Sequence, residues 1–350
     1  MEIITGIQQA GIGVIDADEA KHLYKDLFGM NVLIFDDRAT ATLMTAYTGS
    51  RAEQRRALLT INMRGGGGFE IWQFTSRIPS APAFQPKAGD TGIFAIKIKT
   101  PDAIRAHQHF SGFPHVQVTP VHQNMEGIAH FWLTDPYGNL FQIVQGGDWF
   151  QQNSNICGGV CGAVIGVSNM DRALDFYSGI LGISHISNHS TGTAMDIPGE
   201  ENGTALFHRV VLRKPQGRRG AFSKLLGSVE IELISCISRQ PAKIFHNRYW
   251  GDCGFIHLCF DVLNMCALKE LAATGGYTFT VDSADSFSMG DSAGRFCYME
   301  DPDGTLIELV ETHKVPILKK AGWYVNLQKR KDQQPLPDWM IRLLALKKVS

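Results

Sequence analysis

One local pattern is written twice in this chain, about 150 residues apart. Gly11-Ile12-Gly13-Val14-Ile15-Asp16, Leu23-Tyr24 and Leu27-Phe28-Gly29 return as Val164-Ile165-Gly166-Val167-Ser168-Asn169, Phe176-Tyr177 and Ile180-Leu181-Gly182. Each half closes on a matching run, Asp135-Pro136-Tyr137-Gly138-Asn139-Leu140-Phe141-Gln142-Ile143 in the first and Asp301-Pro302-Asp303-Gly304-Thr305-Leu306-Ile307-Glu308-Leu309 in the second. Self-similarity at a fixed spacing means that one structural unit has been repeated. At 350 residues the chain is long for one core and suits two domains of ordinary size.

A fainter repeat lies inside each half. Ile93-Phe94-Ala95-Ile96-Lys97-Ile98 alternates like a strand, and Pro101-Asp102 then opens a helical stretch to about Phe110. His257-Leu258-Cys259-Phe260-Asp261-Val262, followed by Met265 to Ala273, repeats that arrangement. Gly68-Phe69-Glu70-Ile71-Trp72-Gln73-Phe74 and Ser228-Val229-Glu230-Ile231-Glu232-Leu233-Ile234 are β-rich runs bounded by Gly and Ser. The reading is an α+β chain of four βαβββ units, with one domain over residues 1–147 and a second over 148–315. Residues 316–350 form an extension, in which Pro337-Asp338 precedes a short helix, Trp339 to Lys348, capped by Asp338 and packing Trp339, Leu343 and Leu344 on the body.

Composition narrows the function classes. A formal net charge of -1 supplies no field for nucleic acid or anionic lipid, so activity has to reside in a local site. The start of the chain reads as no leader and no apolar run approaches about 18 residues, so a cytoplasmic protein without a membrane partner is expected. The seven cysteines, all from Cys157 onward, form no CxxC pair and are read as reduced and mostly buried. Gly65 to Gly68 lacks the Lys-Ser/Thr of a phosphate loop and reads as a hairpin connection. Arg213-Lys214 and Arg218-Arg219 read as a solvated basic loop, or as a contact for a substrate anion. Trp72, Phe74, Trp250, Phe287 and Met289 read as pocket lining or core.

Over about residues 7 to 312 these motifs resemble the vicinal oxygen chelate superfamily, which includes glyoxalase I, methylmalonyl-CoA epimerase, extradiol dioxygenases, 4-hydroxyphenylpyruvate dioxygenase and bleomycin-resistance proteins. The resemblance implies two glyoxalase-like domains and half-open β-barrels, each barrel built from two units around one metal. Every unit then supplies one ligand position from its first strand and one from its last. Those positions are Gln9 and Glu70, Ile93 and Gln142, Gly162 and Glu230, and His257 and Glu308. Ile93 and Gly162 carry no donor atom.

Two assemblies remain open. If each half closes on itself, the second half offers Glu230, His257 and Glu308, and the first Gln9, Glu70 and Gln142. If units pair across the halves, units one and four offer the complete set Gln9, Glu70, His257 and Glu308. The second arrangement is favoured, because it gathers every loss into the other barrel.

Two carboxylates, an imidazole and an amide oxygen suit one divalent ion such as Zn, Ni, Co, Mn or Fe. The resemblance implies a lyase or isomerase of the glyoxalase I/epimerase type, acting on a small 2-oxo or 2-hydroxy carbonyl compound or its thiol adduct, with Glu308 and Glu70 as the proton-handling pair. The position four after Gln9 is Gly13, where one glyoxalase I branch carries an arginine for glutathione. Alternatives are a non-haem iron dioxygenase and a non-catalytic small-molecule binder. Monomer and homodimer both fit the duplication.

Overall fold

The computed structural model describes residues 2–124, 126–284, 287–289, 292–318, 323–330 and 333–349. Each unit opens with a strand that runs straight into a helix, and the same device starts all four helices. Asp16, Asp102, Asn169 and Asn264 stand in extended backbone and accept hydrogen bonds from first-turn amides of Ala17–Phe28, Ala103–Phe110, Met170–Leu174 and Met265–Thr274. Such caps contribute about 1 kcal/mol each. Gly29 stops the first helix in the left-handed region (φ 66°), where its amide bonds the Lys25 carbonyl. Ala17, Ala20, Tyr24, Leu27 and Phe28 form that helix's buried face.

The strands form two sheets, each drawn from both halves of the chain. In the first, unit four (Val281–Asp282, Ser292–Glu300, Leu306–Leu318, Gly254–Val262) continues into unit one (Ile4–Gly13, Gly68–Phe74, Gln54–Ile61, Val32–Thr40). In the second, unit three (His185–Gly192, Phe207–Lys214, Val229–Cys236, Val160–Gly166) continues into unit two (Gly92–Thr100, Leu140–Gln145, Ala129–Thr134, Gln117–Val118). The joins are antiparallel, Ile4–Gly13 against Gly254–Val262 and Val160–Gly166 against Gly92–Thr100. This is an α+β fold of four βαβββ units, in which the first sheet curls into a half-open barrel.

While the sheets pair across the halves, the helices tie each half to itself. Tyr24 Oη donates to Asp135 Oδ2 (2.9 Å), and Tyr177 Oη donates to Asp301 Oδ2 (2.9 Å). Both aspartates also accept amide hydrogen bonds within their own Asp-Pro-x-Gly turns. The repeated Tyr and Asp-Pro-x-Gly motifs are thus two ends of one buried bond. Around the first such bond, Tyr24, Phe28, Phe69, Phe110 and Phe141 pack edge to face or tilted at the centre of the main core.

Gly65 to Gly68 joins the two sheets. Gly67 and Val160 exchange both backbone hydrogen bonds at 2.8 Å, and a side chain at Gly66 (φ 112°) would strike the Gly159 backbone. Of the expected basic loop, Arg218 and Arg219 lie between elements, but Arg213 lies on strand Phe207–Lys214 and is paired with Glu230 and Glu126. All seven cysteines are free, and only Cys253 and Cys266 escape full burial.

The extension also differs from expectation. The last strand of unit four runs on to Leu318 and pairs with Trp323–Asn326. The final helix is Asp338–Arg342, followed by a 3-10 turn Leu343–Leu346, and Pro337 precedes it, so Asp338 sits inside the first turn and pairs with Lys224 (2.7 Å). Leu336 and Ile341 are its buried anchors, whereas Trp339 is half exposed. No described helix is long and apolar enough to cross a membrane.

Candidate metal centre

The curled sheet brings Gln9, Glu70, His257 and Glu308 to one point. Gln9 and Gly11 lie on the opening strand of unit one, where Gly11 pairs with Glu70 on one side and His257 on the other; Glu308 enters beside Cys259. All four side chains are buried. His257 Nε2 stands 3.2 Å from Glu70 Oε2 and 3.0 Å from Glu308 Oε2, and Gln9 Nε2 donates to the same two oxygens at 3.1 and 3.2 Å. One donor atom each from Glu70, His257 and Glu308 lies within 4.8 Å of the others.

Two buried atoms of this cluster are left without a hydrogen bond. Gln9 Oε1 has none, and the carboxylate oxygens near His257 Nε2 are close but misaligned with the ring nitrogen. Two carboxylates and an imidazole nitrogen that crowd one point, beside a glutamine whose amide oxygen is unpaired, are a donor set suited to a small divalent cation. The residues fit such an ion.

The charges are mutually dependent. Burial and the neighbouring Glu308 charge push Glu70 above the usual carboxylate range, while the imidazolium outweighs burial and holds Glu308 below it. Burial alone would depress His257, but Glu308 and Glu70 overcome this and raise it to about 9. Without an ion, a proton on His257 balances the two carboxylates. His257 Nδ1 faces Tyr298 Oη at 3.4 Å, and Tyr298, Trp250 and Trp72 stack edge to face behind it. Trp72 and Trp250 are therefore core; Phe74 is buried too, and the side chains of Phe287 and Met289 lie outside the described residues.

Glu230 is elsewhere. It sits in the other sheet, where Lys97 Nζ (2.6 Å) and Arg213 Nε (2.8 Å) bond it, so the set Glu230, His257 and Glu308 is not brought together. Register also corrects the ligand map of the second barrel. Val164 pairs with Ala95 and Glu232 there as Gly11 pairs with His257 and Glu70 in the first, so the counterpart of Glu70 is Glu232 and that of His257 is Ala95. Gln142 does correspond to Glu308, and Gly162 to Gln9. A lysine ammonium takes the cation's place: Lys97 Nζ bonds Glu232 (2.7 Å) as well as Glu230, and Arg209 bonds Glu232 at 2.6 Å. Against the cost of burial, Lys97 and Arg209 hold Glu232 down at about 2.

Gly11 is a site residue that motif reading passed over, although the repeat itself carried the signal, since its counterpart is Val164. A Cβ on Gly11 would sit 2.5 Å from His257 Nε2 and closer still to Cε1, whereas Val164 has the small Ala95 at the position of His257. We therefore expect Gly11→Ala to fold, by circular dichroism, yet to lose divalent-metal affinity by about 10–100-fold as the ring is displaced. Wild-type affinity in that variant would contradict this role.

Two models of the glyoxalase/bleomycin resistance protein/dioxygenase superfamily match the chain, over residues 6–143 and 163–298. The chain belongs to this superfamily. Among solved structures, this superfamily member is similar in fold to a presumed dioxygenase from Bacillus subtilis (TM-score 0.54, 14% identity, 89% of this chain and 86% of that one). It is similar also to a point variant of glyoxalase I from Zea mays (TM-score 0.52, 13% identity, 87% of this chain and 93% of that one). No curated protein matches the sequence.

Proposed function

We propose that this superfamily member is a metal-dependent lyase or isomerase of the glyoxalase I/epimerase type, acting on a small 2-oxo or 2-hydroxy carbonyl compound or its thiol adduct. The observation that carries the reading is the buried convergence of Gln9, Glu70, His257 and Glu308, two of them carboxylates, with Gln9, Glu70 and Glu308 lining a cavity. These four would hold one divalent ion, which supplies Lewis-acid polarisation of two adjacent substrate oxygens. Glu308 is the residue that would take the proton from the carbon next to the carbonyl, with Glu70 its partner in returning one. Gln9 orients both carboxylates through its amide hydrogens. Iron dioxygenases of this superfamily resemblance call for two histidines and a glutamate, whereas His257 is the one histidine of this cluster.

The test is hydrogen exchange in D2O, followed by NMR, on metal-loaded protein with the methylglyoxal–thiol adduct and simple 2-hydroxy ketones as probes. Exchange at the carbon beside the carbonyl is expected, and Glu308→Gln should slow it by about 100-fold or more. Oxygen uptake by the iron form without exchange would point to a dioxygenase, and neither signal to a binding protein.

A further inference from the structure

Gln9, Glu70 and Glu308 line a cavity of about 150 Å³ whose walls are contributed by three units and the C-terminal extension. Ile34, Leu59 and Ile61 come from unit one, Phe222 and Leu225 from unit three, and Val310 from unit four. Leu344 and Lys347 of the extension complete the lining. Apart from Gln9, Glu70 and Glu308, the described lining is aliphatic and aromatic except for Gln8, Thr312 and Lys347.

The extension is fixed in place rather than draped over the mouth. Leu33 N donates to Lys347 O (2.8 Å) and Val349 N to Asn31 O (2.9 Å), which adds the end of the chain to the edge strand of unit one. Leu336 N donates to Ala221 O (3.0 Å), and Gln333 Nε2 to Leu263 O (2.9 Å). Leu336 and Ile341 share a buried cluster with Leu59, Ile61, Leu225 and Val315. One segment thus clamps units one, three and four around the cavity.

We propose that the C-terminal extension is a specificity-determining wall, with Leu344 its reading residue, and that the substrate joins two adjacent oxygens to a sizeable apolar chain or ring. This rests on a metal bound at the site described above. A cavity with this apolar lining gains affinity from each buried methylene, about fourfold apiece at full burial. A glutathione adduct brings two carboxylates and an ammonium, for which the described lining supplies one cation, Lys347, and that amine already lies 3.5 Å from the Ile34 carbonyl.

The experiment titrates metal-loaded protein with acetohydroxamate and octanohydroxamate, two bidentate chelators that differ only in alkyl length, with metal content measured in parallel. Wild type is expected to bind the longer probe roughly 100-fold more tightly or better. Leu344→Glu should cut that ratio to under about tenfold while metal content stays that of wild type, and Leu344→Asn, closer in size, guards against misfolding by giving an intermediate ratio. Equal affinities with metal retained would overturn the substrate class and leave the metal reading intact. An unchanged ratio in both variants would overturn the role of Leu344, and failure to retain any metal would overturn both readings.

Discussion

Glu70→Ala is expected to abolish stoichiometric metal binding, whereas Glu230→Ala keeps it. Glu70 faces His257 and Glu308 across the join between unit one and unit four, so its loss removes one of two carboxylates from a cluster with few donors. Removing a direct ligand costs more than the 10–100-fold typical of supporting residues. Glu230 meets Lys97 and Arg213 in the other sheet, and truncating it touches no donor of the cluster. Mass spectrometry of the two variants after metal reconstitution and desalting gives the answer directly. Metal lost with Glu230 and kept with Glu70 would mean that the halves close on themselves.

The second large effect is one of stability. Lys97 is buried and its ammonium balances Glu230 and Glu232, so Lys97→Met is expected to destabilise the protein by about 3–5 kcal/mol in urea unfolding near neutral pH. The reason is that desolvated carboxylates are left with fewer partners. Arg213 and Arg209 still hold one glutamate each, which places the effect within that range rather than above it. Adding Glu232→Met should recover part of the loss, since Arg209 retains Asp196 (2.8 Å). A change under about 1 kcal/mol for Lys97→Met would show that the second barrel tolerates the uncompensated charge. In this view the two barrels solve one electrostatic problem differently. The first converges two carboxylates on donors for an ion, and the second carries its cations on its own chain.

Much of the architecture was legible because it is written in local signals. Four caps, two left-handed glycines and two Asp-Pro-x-Gly turns mark the unit boundaries, and period-two runs mark the strands. Which units share a sheet is a matter of long-range pairing that no local pattern encodes, so both assemblies stayed open until Ile4–Gly13 was seen against Gly254–Val262. The ligand map of the second barrel slipped for a related reason. Glu230 and Glu232 are two apart and point to the same face, and only the pairing with Val164 identifies the deeper one as the counterpart of Glu70. Lys97 was hidden inside an alternating strand whose lysines look solvent-facing until the sheet closes over them. That Leu344 packs on the body was legible, but its place at the cavity was not, because the extension lies outside the repeat and its anchors, Leu336 and Ile341, meet apolar partners only once three units come together.

A single site shared between the halves requires one ion, so the decisive measurement is the stoichiometry of tightly held divalent metal on the full chain, by elemental analysis after reconstitution and removal of excess ion. One ion per chain, bound through Gln9, Glu70, His257 and Glu308, is expected. Two ions per chain would mean that Glu230, Glu232 and Gln142 also bind metal despite Lys97, and would contradict a single shared site.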